Sequence, residues 1–226
     1  MKIKFFAAAV VLAVSVTAVT ASAARFNDTE GHWAEEIIDD LSQRGIVNGV
    51  SQTEFNPDGT VTRGEFLKMA MEITDIETVE YRSGECLDVT ASDWYGGYVQ
   101  SALDKGLIPK EMIGDYGFRI VEDKGIYSGY FDGDKPIKRE EMAYIMQAAY
   151  QYSLTEENYQ ELEIPFDMHF TDLSAVSVWA LDGVRHAYAQ GFISGMEDGT
   201  FRPQETATRA QAAAIINNVL SVTEVQ

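Results

Sequence analysis

The chain has 226 residues, of which 46% are hydrophobic, 11% aromatic and 23% charged, a composition that supports a packed core and excludes a wholly disordered or fibrous polymer. Seventeen Lys and Arg against 36 Asp and Glu leave a formal net charge of −19, a poor match to nucleic acid or to anionic membrane surfaces. The one cysteine, Cys86, forbids an intrachain disulfide and a cysteine-based zinc cluster.

At the start, Lys2 and Lys4 precede a run from Phe5 to Val19 that is apolar or small except at Ser15 and Thr17, and Ala21, Ser22 and Ala23 follow it. A short basic start, an apolar core and small residues before a cleavage point make residues 1–23 an expected export signal. That core is short for a bilayer span, and no later stretch is long and apolar enough to be one, so a secreted chain without a transmembrane segment is expected after cleavage.

The remainder repeats itself three times. Trp33, Trp94 and Trp179 each precede a glycine by twelve positions, namely Gly45, Gly106 and Gly191, and Phe55, Phe131 and Phe201 each precede an arginine by eight, namely Arg63, Arg139 and Arg209. Asp28, Asp88 and Asp172 stand shortly before the tryptophans, with Phe26, Cys86 and Phe170 two places earlier. Cys86 therefore occupies a phenylalanine position and reads as a small buried hydrophobe. The units are assigned to residues 24–75, 84–152 and 168–226. Gly106 to Arg139 is fifteen residues longer than its counterparts, which places an insertion at about 110–126, and an acidic, aromatic linker occupies 153–167. The insertion mixes apolar and polar residues without a clear period and is consistent with a short hairpin or an extra helical turn.

Each unit reads as helix, loop, helix, so the fold is expected to be mainly α. In the first helix apolar or small residues recur one, five and eight places after the tryptophan, as in Ala34, Ile38 and Leu41, and the glycine is placed to end the helix in a left-handed conformation. In the second helix the buried stripe falls three, six, seven and ten places after the arginine, as in Phe66, Met69, Ala70 and Ile73. Thr62 with Glu65 and Thr208 with Gln211 have capping-box spacing, whereas Lys138 replaces the threonine in the middle unit. A two-helix unit cannot bury such a face alone, so the copies are expected to close on one another with the second helices central.

Phe26, Asp28, Gly31, His32, Trp33 and Ala34, then Gly45, Ile46, Val47 and Gly49, then Phe55, Pro57, Val61, Thr62, Arg63, Glu65 and Phe66 resemble an S-layer homology domain of bacterial cell envelopes. The third unit is similar through Phe170, Asp172, Trp179, Gly191, Gly195, Phe201, Pro203, Thr208 and Arg209, and the second, more divergent, through Asp88, Trp94, Tyr95, Gly106, Phe131, Arg139, Glu141 and Met142. The resemblance implies a pseudo-threefold bundle whose grooves bind secondary cell-wall polysaccharide, an anionic polymer often bearing a pyruvate ketal, and so anchor or organise the envelope without a covalent bond. It assigns the anionic sugar to Arg63 and Arg209, with Arg139 ranked behind them, while Lys138 and the missing glycine after Pro109 lead to the expectation of an altered, silent middle groove. It also assigns Asp28, Asp88 and Asp172, Trp33, Trp94 and Trp179, and Gly45, Gly106 and Gly191 to groove or groove-supporting positions. It implies no cofactor and a location at the cell wall or surface layer.

A guanidinium fork suits a carboxylate, and an arginine in a helix's first turn lies near backbone amides that favour an anion. The alternative is that each arginine pairs with Asp28, Asp88 or Asp172 and holds the units together. The tryptophans, at fixed helical spacing, are expected to pack into the core rather than stack on sugar. No carboxylate pair such as Glu35 with Asp39 or Glu140 with Glu141 is marked for acid and base work, and such charge runs read as solvated helix surface, so the chain is expected to be non-catalytic. His32, His169 and His186 fall at unrelated repeat positions and do not suggest a metal site, and Asp132 to Asp134 reads as a surface turn rather than a calcium loop. The competing reading is a protein-protein scaffold of the envelope, with a partner held through the insertion and the linker.

Overall fold

The computed structural model describes residues 26–82, 84–121, 123–154 and 168–223, with the side chain of Val121 left aside. The expected export signal and residues 155–167 of the expected linker lie outside the described residues. The order of elements is α1 (Glu35–Gln43), α2 (Arg63–Ile73), α3 (Gly96–Asp104), β1 (Gly114–Val121), β2 (Lys124–Tyr130), α4 (Arg139–Ser153), α5 (Leu181–Ala189) and α6 (Arg209–Thr223). The protein is thus mainly helical, and among the described residues no helix is long and apolar enough to cross a membrane.

The first helices end as their glycines require. Gly45, Gly106 and Gly191 have φ of 73°, 70° and 74°. The residue after each donates its N–H back across the last turn, Ile46 to Leu41, Leu107 to Ala102 and Phe192 to Ala187, all at 2.8 Å. That closes a Schellman motif, in which a left-handed glycine lets otherwise unpaired helix carbonyls be satisfied. The stripe residues Ala34, Ile38, Leu41, Val99, Ala102, Val184 and Ala187 are fully buried.

The second helices start with the expected boxes: Thr62 Oγ1 accepts from Glu65 N at 3.2 Å while Glu65 returns a bond to Thr62 N at 2.8 Å. Thr208 and Gln211 exchange the same pair of bonds, each at 3.2 Å. At α4 half of the box survives. Glu141 accepts from Lys138 N at 3.0 Å, but an ammonium has no lone pair to offer in return, and Lys138 Nζ donates to Gln204 Oε1 at 2.9 Å.

Packing is between units rather than within them: α1 lies on α6, α3 on α2 and α5 on α4, while α2, α4 and α6 all touch one another. The residues just before the second helices close a ring of hydrogen bonds. Val61 N donates to Ala207 O at 3.2 Å, Ala207 N to Ile137 O at 2.8 Å and Ile137 N to Val61 O at 3.0 Å. All three residues are fully buried. The first two amides of each second helix also donate across units: Arg63 and Gly64 to Lys135 and Gly133, Arg139 and Glu140 to Glu205 and Pro203, Arg209 and Ala210 to Gly59 and Pro57. These amides were expected to be available to an anion, and they are occupied instead, because a buried helix end must find its acceptors within the protein.

The insertion is a hairpin, β1 pairing antiparallel with β2 from Gly114 opposite Tyr130 to Val121 opposite Lys124. It follows a single 3-10 turn, Lys110–Met112, and continues past the expected end at about residue 126. The linker expected to begin at 153 starts later, since α4 runs through Ser153. Glu140 and Glu141, expected on a solvated face, are 1% and 7% exposed. Glu140 accepts from Ser177 N and Oγ at 2.8 and 2.7 Å, and Glu141 meets Arg63, so both charges are satisfied inside.

Candidate functional site

One arrangement recurs three times around the repeated phenylalanines. Asp28 accepts the N–H groups of Phe55 and Asn56 at 2.8 and 2.6 Å, Asp88 those of Phe131 and Asp132 at 2.8 and 2.6 Å, and Asp172 those of Phe201 and Arg202 at 2.7 Å each. Asn56, Asp132 and Arg202 have φ of 59°, 56° and 57°, a left-handed backbone that costs a non-glycine residue about 1–2 kcal/mol and that two charge-assisted hydrogen bonds offset. The carbonyls of the same phenylalanines accept from arginines of other units: Phe55 from Arg209 Nε, Phe131 from Arg63 Nε and Phe201 from Arg139 Nε, each at 2.8 Å. Each guanidinium also lies 4.6 to 5.0 Å from the ring centroid of that phenylalanine. The three arginines and three aspartates therefore meet at one residue per unit rather than pairing directly, which replaces the expected carboxylate-to-arginine alternative.

Beyond the shared Nε bond the arginines differ. Arg63 is buried, its Nη1 bonded to the Glu141 carboxylate and its Nη2 to Met112 O at 2.8 Å. Arg209 is half-buried and gives Nη2 to Asn48 O at 2.7 Å; burial pulls its pKa down, against the charges of Glu65 and Asp28. Arg139 is 7% exposed, and among the described residues its side chain has no ion pair and no hydrogen bond beyond the one to Phe201 O. Burial pulls its pKa down to about 10, Glu205 and Asp172 opposing the fall and Arg202 adding to it. It is a nearly buried cation with two terminal nitrogens unspoken for.

Those nitrogens belong to a residue that lines a groove of about 440 Å³. Its walls are Trp33 from the first unit, the loop Phe192 to Glu197, and Phe201, Gln211, Ala214 and Asn218. Trp33 is 62% and Trp94 54% exposed, contrary to the expectation that the tryptophans pack inside. Each stands just before the first helix, where only the following residue, Ala34 or Tyr95, turns into the core. Trp179 is the exception, partly buried and edge-on to Tyr144 at 5.5 Å.

Gly45, Gly106 and Gly191 serve the backbone turn, and a Cβ at any of them would meet nothing within 4 Å. His32 pairs with Asp58 at 3.3 Å and His186 Nδ1 with Asp182 O at 2.7 Å, and among the described residues no cluster suited to a metal is present. Asp132 in the expected surface turn pairs with Lys135 at 2.9 Å. Sequence reasoning read Gln211 as a cap partner only and passed over Met112 and Tyr144, although aligning the arginines shows Glu65, Glu141 and Gln211 at the second following position and Lys68, Tyr144 and Ala214 at the fifth.

The S-layer homology domain profile matches residues 25–67 and 169–213. The chain is 36% identical over 195 residues to an amylopullulanase of Thermoanaerobacterium thermosulfurigenes, covering 86% of this chain and 9% of that protein. It is 26% identical over 228 residues to the surface-layer 125 kDa protein of Lysinibacillus sphaericus, covering 96% and 17%. It is 24% identical over 203 residues to a cellulosome-anchoring protein of Acetivibrio thermocellus, covering 85% and 40%. The chain thus spans less than half the length of each of these relatives.

Proposed function

We propose that this chain, whose residues 25–67 and 169–213 are S-layer homology domains, is a non-catalytic module that holds an anionic secondary cell-wall polysaccharide and so keeps itself, or a longer protein, at the cell surface. The middle unit is a divergent third copy, and the closed hydrogen-bond ring of Val61, Ile137 and Ala207 supports a pseudo-threefold bundle. The relatives named as surface-layer and cellulosome-anchoring proteins support the same location, and residues 1–23 carry the export.

The observation that carries the reading is Arg139: a nearly buried guanidinium that makes no ion pair among the described residues, beside a groove that an exposed tryptophan flanks. A buried cation without a partner is costly, and an incoming carboxylate relieves that cost with a bidentate bond. The ligand carboxylate is that of a sugar acid or a pyruvate ketal; Phe192, Met142 and Ile215 offer an apolar wall to a ketal methyl, and Trp33 a face for a sugar ring. Asp28, Asp88 and Asp172 act indirectly, by fixing the turns over which the arginines lie. Arg139 thereby moves ahead of Arg63 and Arg209 as the anion-binding residue.

The test is calorimetric titration with purified wall polysaccharide before and after mild acid removal of ketals. Binding lost with the ketals supports the pyruvylated ligand; binding to neither preparation moves the function to a protein partner. A second reading has one observation behind it. The hairpin exposes Tyr116, Phe118, Ile120 and Tyr127, a surface that a protein scaffold could use, and its deletion would then abolish a partner without touching polymer binding.

A further inference from the structure

We propose that the outer face of the β1–β2 hairpin, formed by Tyr116, Phe118, Ile120 and Tyr127, is a second glycan contact that stacks on uncharged sugar rings of the wall polysaccharide. None of these residues lines the Arg139 groove. The inference rests on the anchoring reading above and adds a second contact on the same polymer.

A hairpin laid on a protein ordinarily turns its apolar side inward and its polar side to water. Here the sides are reversed. Side chains alternate along a strand, and the pairing of Phe118 with Tyr127 puts both on the face that Tyr116 and Ile120 share. Tyr116, Phe118, Ile120 and Tyr127 are 42%, 63%, 73% and 61% exposed. Gly117, Arg119 and Ser128 fall on the opposite face, where Ser128 is fully buried and Arg119 pairs with Asp115 at 2.5 Å. The exposed rings hold one another in place. Tyr116 and Tyr127 lie 6.0 Å apart with their planes 25° from parallel, and Phe118 stands edge-on to Tyr127 at 5.6 Å. Gly125 faces Ile120, and a Cβ there would come within 2.5 Å of Phe118 Cζ, so the glycine lets that ring lie across the neighbouring strand.

Size and charge decide the occupant. Given the exposed fractions and the area an aromatic side chain buries, the strip offers roughly 500 Å². That is the scale of a functional patch on a monomer and falls short of the roughly 800 Å² per partner of a stable protein interface. A second copy would also set one net charge of −19 against another. The four side chains are uncharged, so the strip steers neither a basic nor an acidic partner. The C–H face of a pyranose ring is flat and apolar and fits an aromatic face, while the Tyr116 and Tyr127 hydroxyls can exchange hydrogen bonds with sugar hydroxyls. Each such contact is weak. On a polymer already held in the groove, however, the second contact is intramolecular and adds retention without a high affinity of its own.

The probe is wall polysaccharide freed of its ketals by mild acid and cast into a native gel, where retardation of the protein reports contacts too weak for calorimetry. The unaltered protein is expected to be retarded, and the double variant Phe118→Ala, Tyr127→Ala to be retarded about 10-fold less, the worth of two aromatic contacts. Phe118→Tyr keeps a ring and is expected to retain the effect, whereas Phe118→Leu keeps apolar bulk without a flat face and is expected to lose much of it. All the replaced side chains are exposed, so the helical spectrum is expected to be unchanged. A methyl glycoside bearing a pyruvate ketal, titrated by calorimetry, occupies the groove alone: the hairpin variants are expected to bind it as the unaltered protein does, while Arg139→Ala loses it and keeps the retardation. Absence of retardation by the ketal-free polymer, or full retardation of the double variant, overturns the proposal and leaves groove anchoring intact. Failure of the unaltered protein to bind polymer with or without ketals overturns both readings. A dimer in sedimentation velocity, or a captured protein partner, that the double variant abolishes and Phe118→Leu preserves gives the strip to a protein and overturns the sugar assignment.

Discussion

Asp28 and Arg209 hold opposite ends of the same residue: the carboxylate accepts Phe55 N–H at 2.8 Å and the guanidinium donates to Phe55 O at 2.8 Å. The two side chains come from different units, and the relation recurs at Phe131 with Asp88 and Arg63 and at Phe201 with Asp172 and Arg139. Each arginine is therefore part of the joint between units before it is part of any site. What distinguishes the three arginines is the fate of their two terminal nitrogens.

Arg63 and Glu141 give the structural extreme. Both are almost fully buried, and removing one partner leaves the other charge uncompensated where water cannot reach it. Glu141→Ala is expected to lower unfolding free energy by about 3 kcal/mol or more. Chemical denaturation followed by far-ultraviolet circular dichroism measures this. A change below about 0.5 kcal/mol, the scale of an exposed pair, would show that the bridge is not a buried one.

Arg139→Ala tests the binding extreme. It removes the Nε bond to Phe201 O as well as the fork, so a modest loss of stability, about 1 kcal/mol, is expected alongside the binding defect. Retention on wall polysaccharide is expected to fall by about 10-fold to 100-fold, the worth of a hydrogen bond to a charged group. Arg139→Lys preserves the charge without the fork and is expected to recover only part of it. Full retention in Arg139→Ala would remove this groove as the site.

Much of this architecture was legible because it is local. The helix-ending glycines, the Thr62 and Thr208 boxes and the buried stripes each depend on residues within about two turns, so periodicity and spacing reveal them. The hairpin was half legible, since its glycines and mixed polarity obscure the alternation of a strand. What each arginine's terminal nitrogens meet was not legible. It rests on contacts distant in the chain, such as those of Arg63 with Glu141, 78 residues away, and with Met112, 49 residues away. The tryptophans were misjudged for a related reason: a fixed position in a repeat signals a shared role, and burial is only one such role.

The Asp28 clamp should appear in the pH dependence of stability. Burial alone would raise its carboxyl, but the N–H groups of Phe55 and Asn56 and the charge of Arg209 hold it below the usual value. A depressed native pKa contributes stability that is present above the unfolded value of about 3.9 and is lost as pH falls through the native one. Asp28→Asn should therefore be less stable than the unaltered protein at neutral pH, with the gap narrowing below about pH 3.9. Thermal unfolding at a series of pH values checks this, and a gap independent of pH would show that the clamp does not depend on the charge.

Cys86 offers a probe of opening. Burial, helped by the charges of Asp88 and Glu85 and opposed by Arg63, pushes its thiol up to about 12; the residue is 2% exposed and its backbone bridges to Gly129 of β2. Only the thiolate reacts with common thiol reagents. At pH 8 the native protein is expected to resist labelling while the denatured chain reacts fully, so the labelling rate reports opening of the middle unit. Rapid labelling under native conditions would place the thiol at the surface.

Trp33 reports on the groove directly. It is 62% exposed and lines the same groove as Arg139, whereas Trp179 is packed against Tyr144. A sugar ring laid on the exposed indole removes water from it, so polysaccharide binding is expected to shift its emission to shorter wavelength. Trp33→Phe should abolish most of that shift and weaken binding by about 10-fold, within the range measured for aromatic contacts and area burial. Trp94→Phe is the control, since Arg209, the arginine at the corresponding position, already gives Nη2 to Asn48 O. If the shift survives in Trp33→Phe and disappears in Trp94→Phe, the ligand sits in the Arg209 groove, and Arg139 is not the anion-binding residue.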